Sequence, residues 1–454
     1  MAEKKIERLD WWPKWFTGKT INEPVFCREF LEKHRLAYTE NCFFSPDGKV
    51  TEENQLRSMI YHLLELFVIT GLSKKVDDIM KDLRIKAQLK ELLPQTDRVH
   101  VLNGTLFLNG SFKDGKRDIV RSRFPVRYNP NAKPPTRWLQ FLSELLWPED
   151  IPTLQEFIGY CLIPSNAGQK MMVIKGNGGE GKSQIGNVLS RLFGTNMKDG
   201  SVGKVSENPF ARADLEHIHL MVDDDMRLEA LKQTNYVKSI VTAKGKMDLE
   251  RKGKQSYQGY MYARILAFSN GDLVSLYDRS DGFFRRQIIL TTKRKSPGRV
   301  DDPDISEKLC GELEGIFLWA FEGLQRLVRN SFRFTESDRA RLNREMVKRD
   351  ANNIELFMES QGYIQRDPEA YISSKELARI YNIWCEENAY PPVKSKTLIE
   401  YLTANQEKHG IVYSNNVING AGRRVRGFKG ISAIVHAAGS WQQVDPEDNP
   451  FKNA

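Results

Sequence analysis

Apolar residues between 171 and about 295 fall in short runs that alternate with segments of helical periodicity. The runs at 171–174, 218–222 and 262–268 are rich in Ile, Val, Leu, Met and Phe. Strands that are apolar on both faces are typical of a sheet that helices cover on both sides. The pattern therefore predicts an α/β layer in this part of the chain.

The segments before this layer predict a different organisation. Residues 1–97 look helical, because Leu56, Ile60 and Leu64 recur at helical spacing. Residues 98–165 look like a linker or collar. This segment opens with a hairpin around Asn103-Gly104, and a later helix from Thr153 has Glu156 at capping-box spacing.

The segments after the layer predict a second folded module. Residues 301–350 read as a helical lid and connector, and residues 351–435 contain two helices followed by two strands. Ser373 or Ser374 can cap the first of these helices, Ser395 can cap the second, and Asn419-Gly420 separates the strands. Two helices before a β-hairpin resemble a winged helix-turn-helix. Residues 436–454 are polar and predict a flexible tail.

A glycine-rich motif directly follows the first apolar run. Its residues are Gly176, Asn177, Gly178, Gly179, Glu180, Gly181, Lys182 and Ser183. Backbone N–H groups of such a loop surround phosphates, the lysine reaches the β and γ oxygens, and the serine hydroxyl holds Mg²⁺. The following helix points its positive end at the same anion. The motif predicts a triphosphatase that uses ATP or GTP with Mg²⁺.

Three aspartates, Asp223, Asp224 and Asp225, follow the apolar run 218–222. Beside a phosphate loop, one carboxylate can hold Mg²⁺ through water while a neighbour polarises the attacking water. We predict that Asp223 serves the metal and Asp224 the water. The triple aspartate leaves this register open by one residue.

Three further residues are candidates for the same chemistry. Asn270 ends the next apolar run, where its amide can orient the lytic water or contact the γ-phosphate. Arg285 and Arg286 precede the run 287–290, and a guanidinium there can stabilise a transferring phosphoryl group. If one of them projects toward a neighbouring subunit, hydrolysis requires a ring. A surface arginine pair bound to local carboxylates is the alternative.

Two basic segments are candidates for nucleic-acid contacts. Residues 244–254 read as a basic hairpin that carries Lys252 and Lys254, and Arg423, Arg424 and Arg426 fall at the wing of the C-terminal module. Both segments can grip a phosphate backbone. A solvated charged surface is the alternative in each case.

Composition narrows the class of protein. The 454 residues carry a formal net charge of +9, which favours an anionic partner, with nucleic acid as the first candidate. No run approaches the roughly 18 apolar residues of a membrane span. The five cysteines are far apart, so neither a disulfide framework nor structural zinc is expected. We expect a protein of the bacterial or host cytoplasm with no membrane partner.

The order of these elements is more specific than any one of them. A phosphate loop, an acidic strand, a basic hairpin, a strand ending in asparagine and an arginine pair follow one another within residues 173–286. This order resembles the superfamily 3 helicase core of the AAA+ class, of the poxvirus and phage primase-helicase type. Short segments at 103–108, 128–132, 157–160, 380–385 and 426–430 extend the resemblance over roughly residues 99–433.

The resemblance implies a fold and an activity. The fold is α/β, with an AAA+ P-loop ATPase core at residues 166–300 and a winged-helix DNA-binding domain at residues 351–435. The activity is ATP-dependent unwinding of DNA by a homo-oligomer, a hexameric ring that contacts single-stranded and duplex DNA. Lys252 is then a DNA contact in the central channel, Asn270 a sensor, and Arg286, with Arg285 as the alternative, the finger acting on a neighbour's ATP.

One departure from the family limits this interpretation. Larger relatives carry an N-terminal primase domain, whereas residues 1–97 look helical and show no strand-borne acidic pair. We therefore expect no priming activity and count a primase among the candidate partners. The simplest interpretation is a replication protein of a phage or other mobile element that binds or unwinds an origin. The alternatives are an ATP-assembled, origin-binding regulator without helicase activity and a remodeller that is independent of nucleic acid.

Overall fold

The chain divides into two compact units. The computed structural model describes residues 9–226, 234–270, 281–298, 300–350, 353–388, 390, 392–418 and 422–434. Described residues up to 270 and those from 282 to 343 form the first unit, and those from 344 onwards belong to the second. Within these ranges no helix is both long and apolar enough to cross a membrane.

Helices and strands alternate through the first unit. Its helices are α1 (Glu23–His34), α2 (Glu53–Leu64), α3 (Leu72–Lys86), α4 (Thr136–Leu145), α5 (Ile151–Tyr160), α6 (Lys182–Phe193), α7 (Val202–Glu207), α8 (Pro209–Ala213), α9 (Asn235–Thr242), α10 (Asp281–Phe284), α11 (Ile305–Cys310) and α12 (Leu313–Arg329). Its strands are β1 (Ala37–Thr39), β2 (Cys42–Ser45), β3 (Gly48–Lys49), β4 (Arg98–Val101), β5 (Gly104–Phe107), β6 (Phe112–Asp114), β7 (Met171–Lys175), β8 (Met197–Asp199), β9 (Leu220–Asp223), β10 (Gly245–Leu249), β11 (Tyr257–Met261), β12 (Arg264–Ser269) and β13 (Gln287–Thr291).

A five-stranded parallel sheet lies at the centre of this unit. Its strand order is β13-β7-β12-β9-β8, and every neighbouring pair is parallel. One hydrophobic core joins β7, β12 and β13 to side chains of α4, α5, α6 and α12. The apolar runs of the sequence become strands because helices cover them on both faces. The predicted mixed α/β layer with a covered sheet is confirmed.

The N-terminal region contains a small sheet as well as the expected helices. Helices α1, α2 and α3 pack around Phe26, Ile60 and Met80, while β1, β2 and β3 form an antiparallel sheet. The turn between β1 and β2 has positive φ angles of 55° at Glu40 and 59° at Asn41. Two such residues make the tight turn that matches the twist of a hairpin. The sequence interpretation missed this hairpin.

The hairpin expected around Asn103-Gly104 is present, with its turn one residue earlier. Gly104 pairs with Val101, so the turn residues are Leu102 and Asn103. A Cβ on Gly104 would lie 2.2 Å from the carbonyl oxygen of Lys113 on β6. Glycine is therefore required at 104 by the close approach of a third strand. The side-chain amide of Asn103 accepts from the Tyr128 N–H at 2.8 Å and donates to the Tyr128 carbonyl oxygen at 2.9 Å.

The capping box predicted for the helix at Thr153 was wrong. Helix α5 begins at Ile151, so Thr153 and Glu156 lie inside it and are buried. The Glu156 carboxylate accepts from the Arg326 guanidinium at 2.7 Å and from the backbone N–H of Thr335 at 2.7 Å. Both groups follow far later in the chain, and they satisfy a charge that burial would otherwise make costly.

The second unit combines helices with an antiparallel sheet. Helix α13 (Asp338–Asp350) leads into it, followed by α14 (Asn353–Glu359), β14 (Ile364–Ser373), α15 (Ser374–Glu387), α16 (Ser395–Ala404), α17 (Gln406–His409), β15 (Val412–Ile418) and β16 (Arg424–Ala433). The sheet order is β14-β16-β15. Its core contains Phe357, Trp384, Leu398 and Phe428.

Two of the predicted caps can be compared with this unit. The Ser373 hydroxyl accepts from the N–H of Glu376 at 3.1 Å, which confirms one of the two candidate caps of α15. Ser395 is the first residue of α16, whose N-cap is Lys394, so the cap predicted at Ser395 was wrong. Asn419-Gly420 and the tail at 436–454 lie outside the described residues.

Candidate functional site

The phosphate loop connects the carboxyl end of β7 to α6. Gly178, Gly179 and Gly181 have φ angles of 101°, 79° and 109°, a region that side-chain-bearing residues rarely adopt. A Cβ at Gly178 or Gly179 would meet no atom within 4 Å, so the loop faces open space there. The following helix begins at Lys182. This conformation leaves the loop open to an anion at a helix N-terminus.

The structure brings Lys182 and Asn270 together. The Lys182 Nζ donates to the Asn270 Oδ1 at 3.0 Å and to the Glu180 Oε2 at 3.0 Å. Lys182 is only 7% exposed, whereas Asn270 is exposed at the end of β12, the parallel neighbour of β7. The ends of two adjacent strands thus place the amide beside the lysine.

The second of the three aspartates faces the phosphate loop. The Ser183 hydroxyl donates to the Asp224 Oδ2 at 3.1 Å, and both side chains are exposed. Asp225 is exposed as well and lines the same cleft. An Mg²⁺ ion needs few protein ligands of this kind, because it retains waters and binds the phosphates of its substrate.

Asp223, the predicted metal contact, points elsewhere. It ends β9, is 5% exposed, and its Oδ2 accepts from the backbone N–H of Val202 at 2.7 Å. Burial raises the pKa of this carboxyl above its usual value. Asp224 and Asp225 lie in the turn after β9, and both line the cleft, whereas the Asp223 carboxylate is bound to the backbone of Val202. In the structure the carboxylate that contacts Ser183 is that of Asp224, which is within the one-residue range that the sequence left open.

A cleft of about 810 Å³ opens above the loop. Its other walls come from α4 and from the segment around α11, neither of which the sequence suggested for the site. These walls are lined by Arg137, Gln140, Phe141, Glu144, Val300, Asp301, Asp302, Pro303, Ile305 and Lys308. The volume suits a ligand of nucleotide size.

Helix α4 is held at this cleft by a contact that is distant in sequence. The Glu312 carboxylate accepts from the backbone N–H of Arg137 and of Trp138, at 3.1 Å in each case. A carboxylate at a helix N-terminus satisfies free N–H groups and complements the helix dipole. The sequence around residue 137 contains no pattern that predicts capping of α4 by Glu312.

The two candidate arginines differ in their surroundings. Arg285 is exposed, whereas Arg286 is half-buried and donates to the Gly282 carbonyl oxygen through its Nη1. Neither arginine is among the described residues that line the cleft above the phosphate loop. Arg285 is therefore the more accessible of the two.

The predicted basic hairpin is formed by β10 and β11, which pair antiparallel from Gly245 with Met261 to Leu249 with Tyr257. Lys252 and Lys254 are exposed in the loop between the strands. Arg251 fixes the base of that loop by donating to Tyr257 at 2.7 Å and to Glu216 at 3.0 Å.

The cations of this segment are not equivalent. Lys246 forms an ion pair with Glu91, and its Nζ lies 4.8 Å from the centroid of the Tyr260 ring. The hairpin therefore exposes Lys252 and Lys254 at its tip, whereas Lys246, at the end far from the tip, is paired with Glu91.

The second unit presents cations around its sheet. Arg424 and Arg426 occupy alternate positions of β16, and both are exposed together with Arg423. Arg426, Lys375 and Lys396 line a cleft of about 1090 Å³ between the sheet and the first turns of α15 and α16. Glu376 and Glu400 also line this cleft and pair with Arg379 and Lys396, so among the described residues the cations of the cleft without a paired carboxylate there are Lys375 and Arg426.

Comparison with known proteins places these features in context. Residues 174–286 match the model of a protein family described as a family of unknown function, DUF5906. That segment runs from the end of β7 through the phosphate loop, the aspartates and the hairpin to Arg286.

Similarity to solved structures extends over most of the chain. The A form apo structure of the NrS-1 C-terminal region matches with a TM-score of 0.51 and 10% identity, covering 88% of this chain and 98% of that chain. Two further structures of that region have TM-scores of 0.48 and 0.49 at 12% identity; they cover 91% and 89% of this chain and 100% and 98% of their own. The first match shows a common α/β fold.

Proposed function

We propose that this chain is an ATP-dependent DNA helicase that acts as a ring of identical subunits in the replication of a phage or other mobile element. The observation that carries the proposal is that groups from three segments of the chain lie at or beside Lys182 and Ser183. The phosphate loop, the Asn270 amide and the Ser183–Asp224 pair meet at the carboxyl edge of one parallel sheet. Three separate segments thus supply the groups that phosphoryl transfer requires.

The sheet topology supports a nucleotide site at this edge. From β7 the chain runs to the far edge of the sheet at β8, and it returns to both sides of β7 with β12 and β13. Ligands of open α/β sheets bind at the carboxyl ends of the strands where such connections diverge. The assignment of this unit to the AAA+ class rests in addition on the motif order in residues 173–286.

The geometry suggests a role for each group. Lys182 binds the β- and γ-phosphates, and Ser183 with Asp224 holds Mg²⁺, whose charge compensates the phosphates. Asp225 takes the place of the carboxylate that polarises water, one residue beyond the position first predicted. Asn270 keeps the role of sensor because it already contacts Lys182 at 3.0 Å.

Arg285 is the arginine that we assign to a neighbour's nucleotide. Its exposure leaves the guanidinium accessible to a second subunit, whereas Arg286 donates to its own helix. Arginines supplied in trans accelerate phosphoryl transfer by about 10³-fold or more. A head-to-tail ring presents one such side chain to every site.

Arg285→Ala should bind nucleotide normally and lose about 10³-fold in hydrolysis rate. Mixing it with Lys182→Ala/Glu180→Gln subunits, which lack both charges of the Lys182–Glu180 ion pair, should restore activity, because a mixed ring places an intact phosphate loop beside an intact Arg285. The measurement is steady-state hydrolysis across mixing ratios. A normal rate for Arg285→Ala, or no recovery on mixing, would remove Arg285 from the site.

Two surfaces are proposed for DNA. Lys252 and Lys254 at the hairpin tip contact single-stranded DNA in the ring, and Arg423, Arg424 and Arg426 contact duplex DNA. The order of helix, strand, three helices (the last a single turn) and two strands supports a winged-helix assignment for the second unit. The same surface would also serve an origin-binding regulator, so strand separation has to decide between the two functions.

Single-stranded DNA should stimulate ATP hydrolysis, and the double variant Lys252→Ala/Lys254→Ala should lose most of that stimulation. Each lysine that neutralises a phosphate contributes about one counterion to the salt dependence of binding. The readouts are the ratio of hydrolysis rates with and without DNA and the slope of affinity against salt. The matched control Lys74→Ala/Lys90→Ala removes two exposed lysines elsewhere and should keep both values. Equal stimulation in the two double variants would refute the hairpin assignment.

A further inference from the structure

An acidic side chain lies inside the loop that is expected to bind an anion. Glu180 is 3% exposed. Its Oε2 accepts from the Lys182 Nζ at 3.0 Å and from the N–H of Gly178 at 3.0 Å, and its Oε1 accepts from the N–H of Asn177. A carboxylate therefore already neutralises the lysine that the phosphates need.

The ion pair is buried and charged. Burial alone would raise the pKa of Glu180, but the hydrogen bonds from Lys182 and from the N–H of Asn177 outweigh it and hold the pKa below its usual value. Lys182 is 7% exposed. Charges this far from solvent interact strongly, and removing one partner leaves the other uncompensated.

The surroundings of the pair leave one direction for the lysine to move. A Cβ on Gly176 would lie 2.7 Å from the Lys182 Nζ, 2.7 Å from the Thr292 Oγ1 and 2.8 Å from the Glu180 Oε2. The pair is thus packed against the backbone of the loop, and the absence of a side chain at 176 makes room for it. Lys182 also lines the cleft, which is the open side.

We propose that Glu180 is a positioning residue that holds Lys182 against the phosphate loop and competes with incoming phosphates for its ammonium group. The proposal rests on the nucleotide-binding function proposed above. When a phosphate takes Lys182, the carboxylate keeps its bonds to the N–H groups of Asn177 and Gly178, since an ionised carboxylate offers about four acceptor sites. The loop therefore keeps its conformation while the ion pair is exchanged.

Glu180 then weakens the binding of every phosphate chain that reaches Lys182. In the variant Glu180→Gln the amide oxygen can still accept from one of the two loop N–H groups, which bond different oxygens of the carboxylate, and the competing charge is lost. We expect Mg²⁺-ATP and inorganic tripolyphosphate to bind about tenfold more tightly, on the scale of one charged hydrogen bond. A tighter ground state should appear as a lower KM with a smaller change in kcat.

The experiment is calorimetric titration of the full-length chain and its variants with both ligands. Glu207→Gln removes an exposed carboxylate on α7 and serves as the matched control with unchanged affinity. Glu180→Asn makes the same charge change in a shorter side chain and gives a second test. Thermal unfolding of each variant separates a change in affinity from a change in fold.

The outcomes are distinguishable. Tighter binding by Glu180→Gln, with the control unchanged, supports competition for Lys182. Unchanged or weaker binding by folded Glu180 variants overturns it, and so does loss of the fold in both, which would make Glu180 purely structural. If the wild type binds tripolyphosphate but not ATP, the proposed nucleotide function fails while the Glu180 comparison still decides the inference. If the folded wild type binds neither ligand, both proposals fail.

Discussion

Lys182→Ala is expected to abolish the proposed ATP hydrolysis, with a loss of at least about 10³-fold in kcat/KM. The reason is that the proposed mechanism assigns the Lys182 ammonium group to the β- and γ-phosphates, and electrostatic stabilisation dominates phosphoryl transfer. The measurement is steady-state release of phosphate at saturating Mg²⁺-ATP. Lys74→Ala, at an exposed position of α3, is the matched control and should keep the wild-type rate.

Lys182→Ala is also expected to destabilise the fold, because Lys182 forms an ion pair with Glu180. Removing Lys182 leaves Glu180 buried without its counter-charge, which costs about 3–5 kcal/mol in comparable buried pairs. The double variant Lys182→Ala/Glu180→Gln removes both charges and should unfold closer to the wild-type temperature while staying inactive. Hydrolysis at the wild-type rate by this folded double variant would contradict the assignment of Lys182.

Asp224→Asn should lower the hydrolysis rate by about 10²-fold or more and raise the Mg²⁺ concentration needed for half-maximal rate. The change removes the negative charge beside the Ser183 hydroxyl, 3.1 Å away. Asp223→Asn should act mainly on stability, because its carboxylate bonds the N–H of Val202 away from the loop. A loss of about 1–2 kcal/mol is expected for weakening that buried bond.

The pair of variants resolves the register of the acidic strand. The readouts are Mg²⁺ titrations of hydrolysis and thermal unfolding of each variant. If Asp223→Asn changes the Mg²⁺ requirement and Asp224→Asn does not, the register first predicted is correct and the contact between Ser183 and Asp224 is incidental.

The local parts of the site were predictable from the sequence. Glycine spacing, the apolar run before it and the helical stripe after it define the phosphate loop without knowledge of the rest of the fold. Asn270 was predictable as a strand end, and the parallel pairing of β12 with β7 explains why it meets Lys182.

The sequence did not predict which of the three consecutive aspartates, 223–225, would contact Ser183. A run of three aspartates fits the pattern in either register, and only the position where β9 ends decides which carboxylate turns toward Ser183. The position of the turn in the β4–β5 hairpin was mispredicted for a similar reason. Glycine is required at 104 by the close approach of β6, which the local sequence does not show, and not by the turn.

Contacts between distant segments left no local pattern at all. Glu312 caps α4 from more than 170 positions away, at separations of 174 and 175 residues. Glu156 resembled a capping residue but bonds Arg326 and Thr335 instead. The walls of the cleft that α4 and α11 supply were missed for this reason.

Strand displacement on forked duplexes with 3′ or 5′ tails tests most directly whether this chain is an ATP-driven DNA motor. The expected result is that the wild type separates the strands only with Mg²⁺-ATP, whereas Lys182→Ala/Glu180→Gln binds the same DNA and leaves it duplex. Robust ATP hydrolysis and DNA binding without displacement on either tail would contradict the helicase proposal and favour an ATP-assembled, origin-binding regulator.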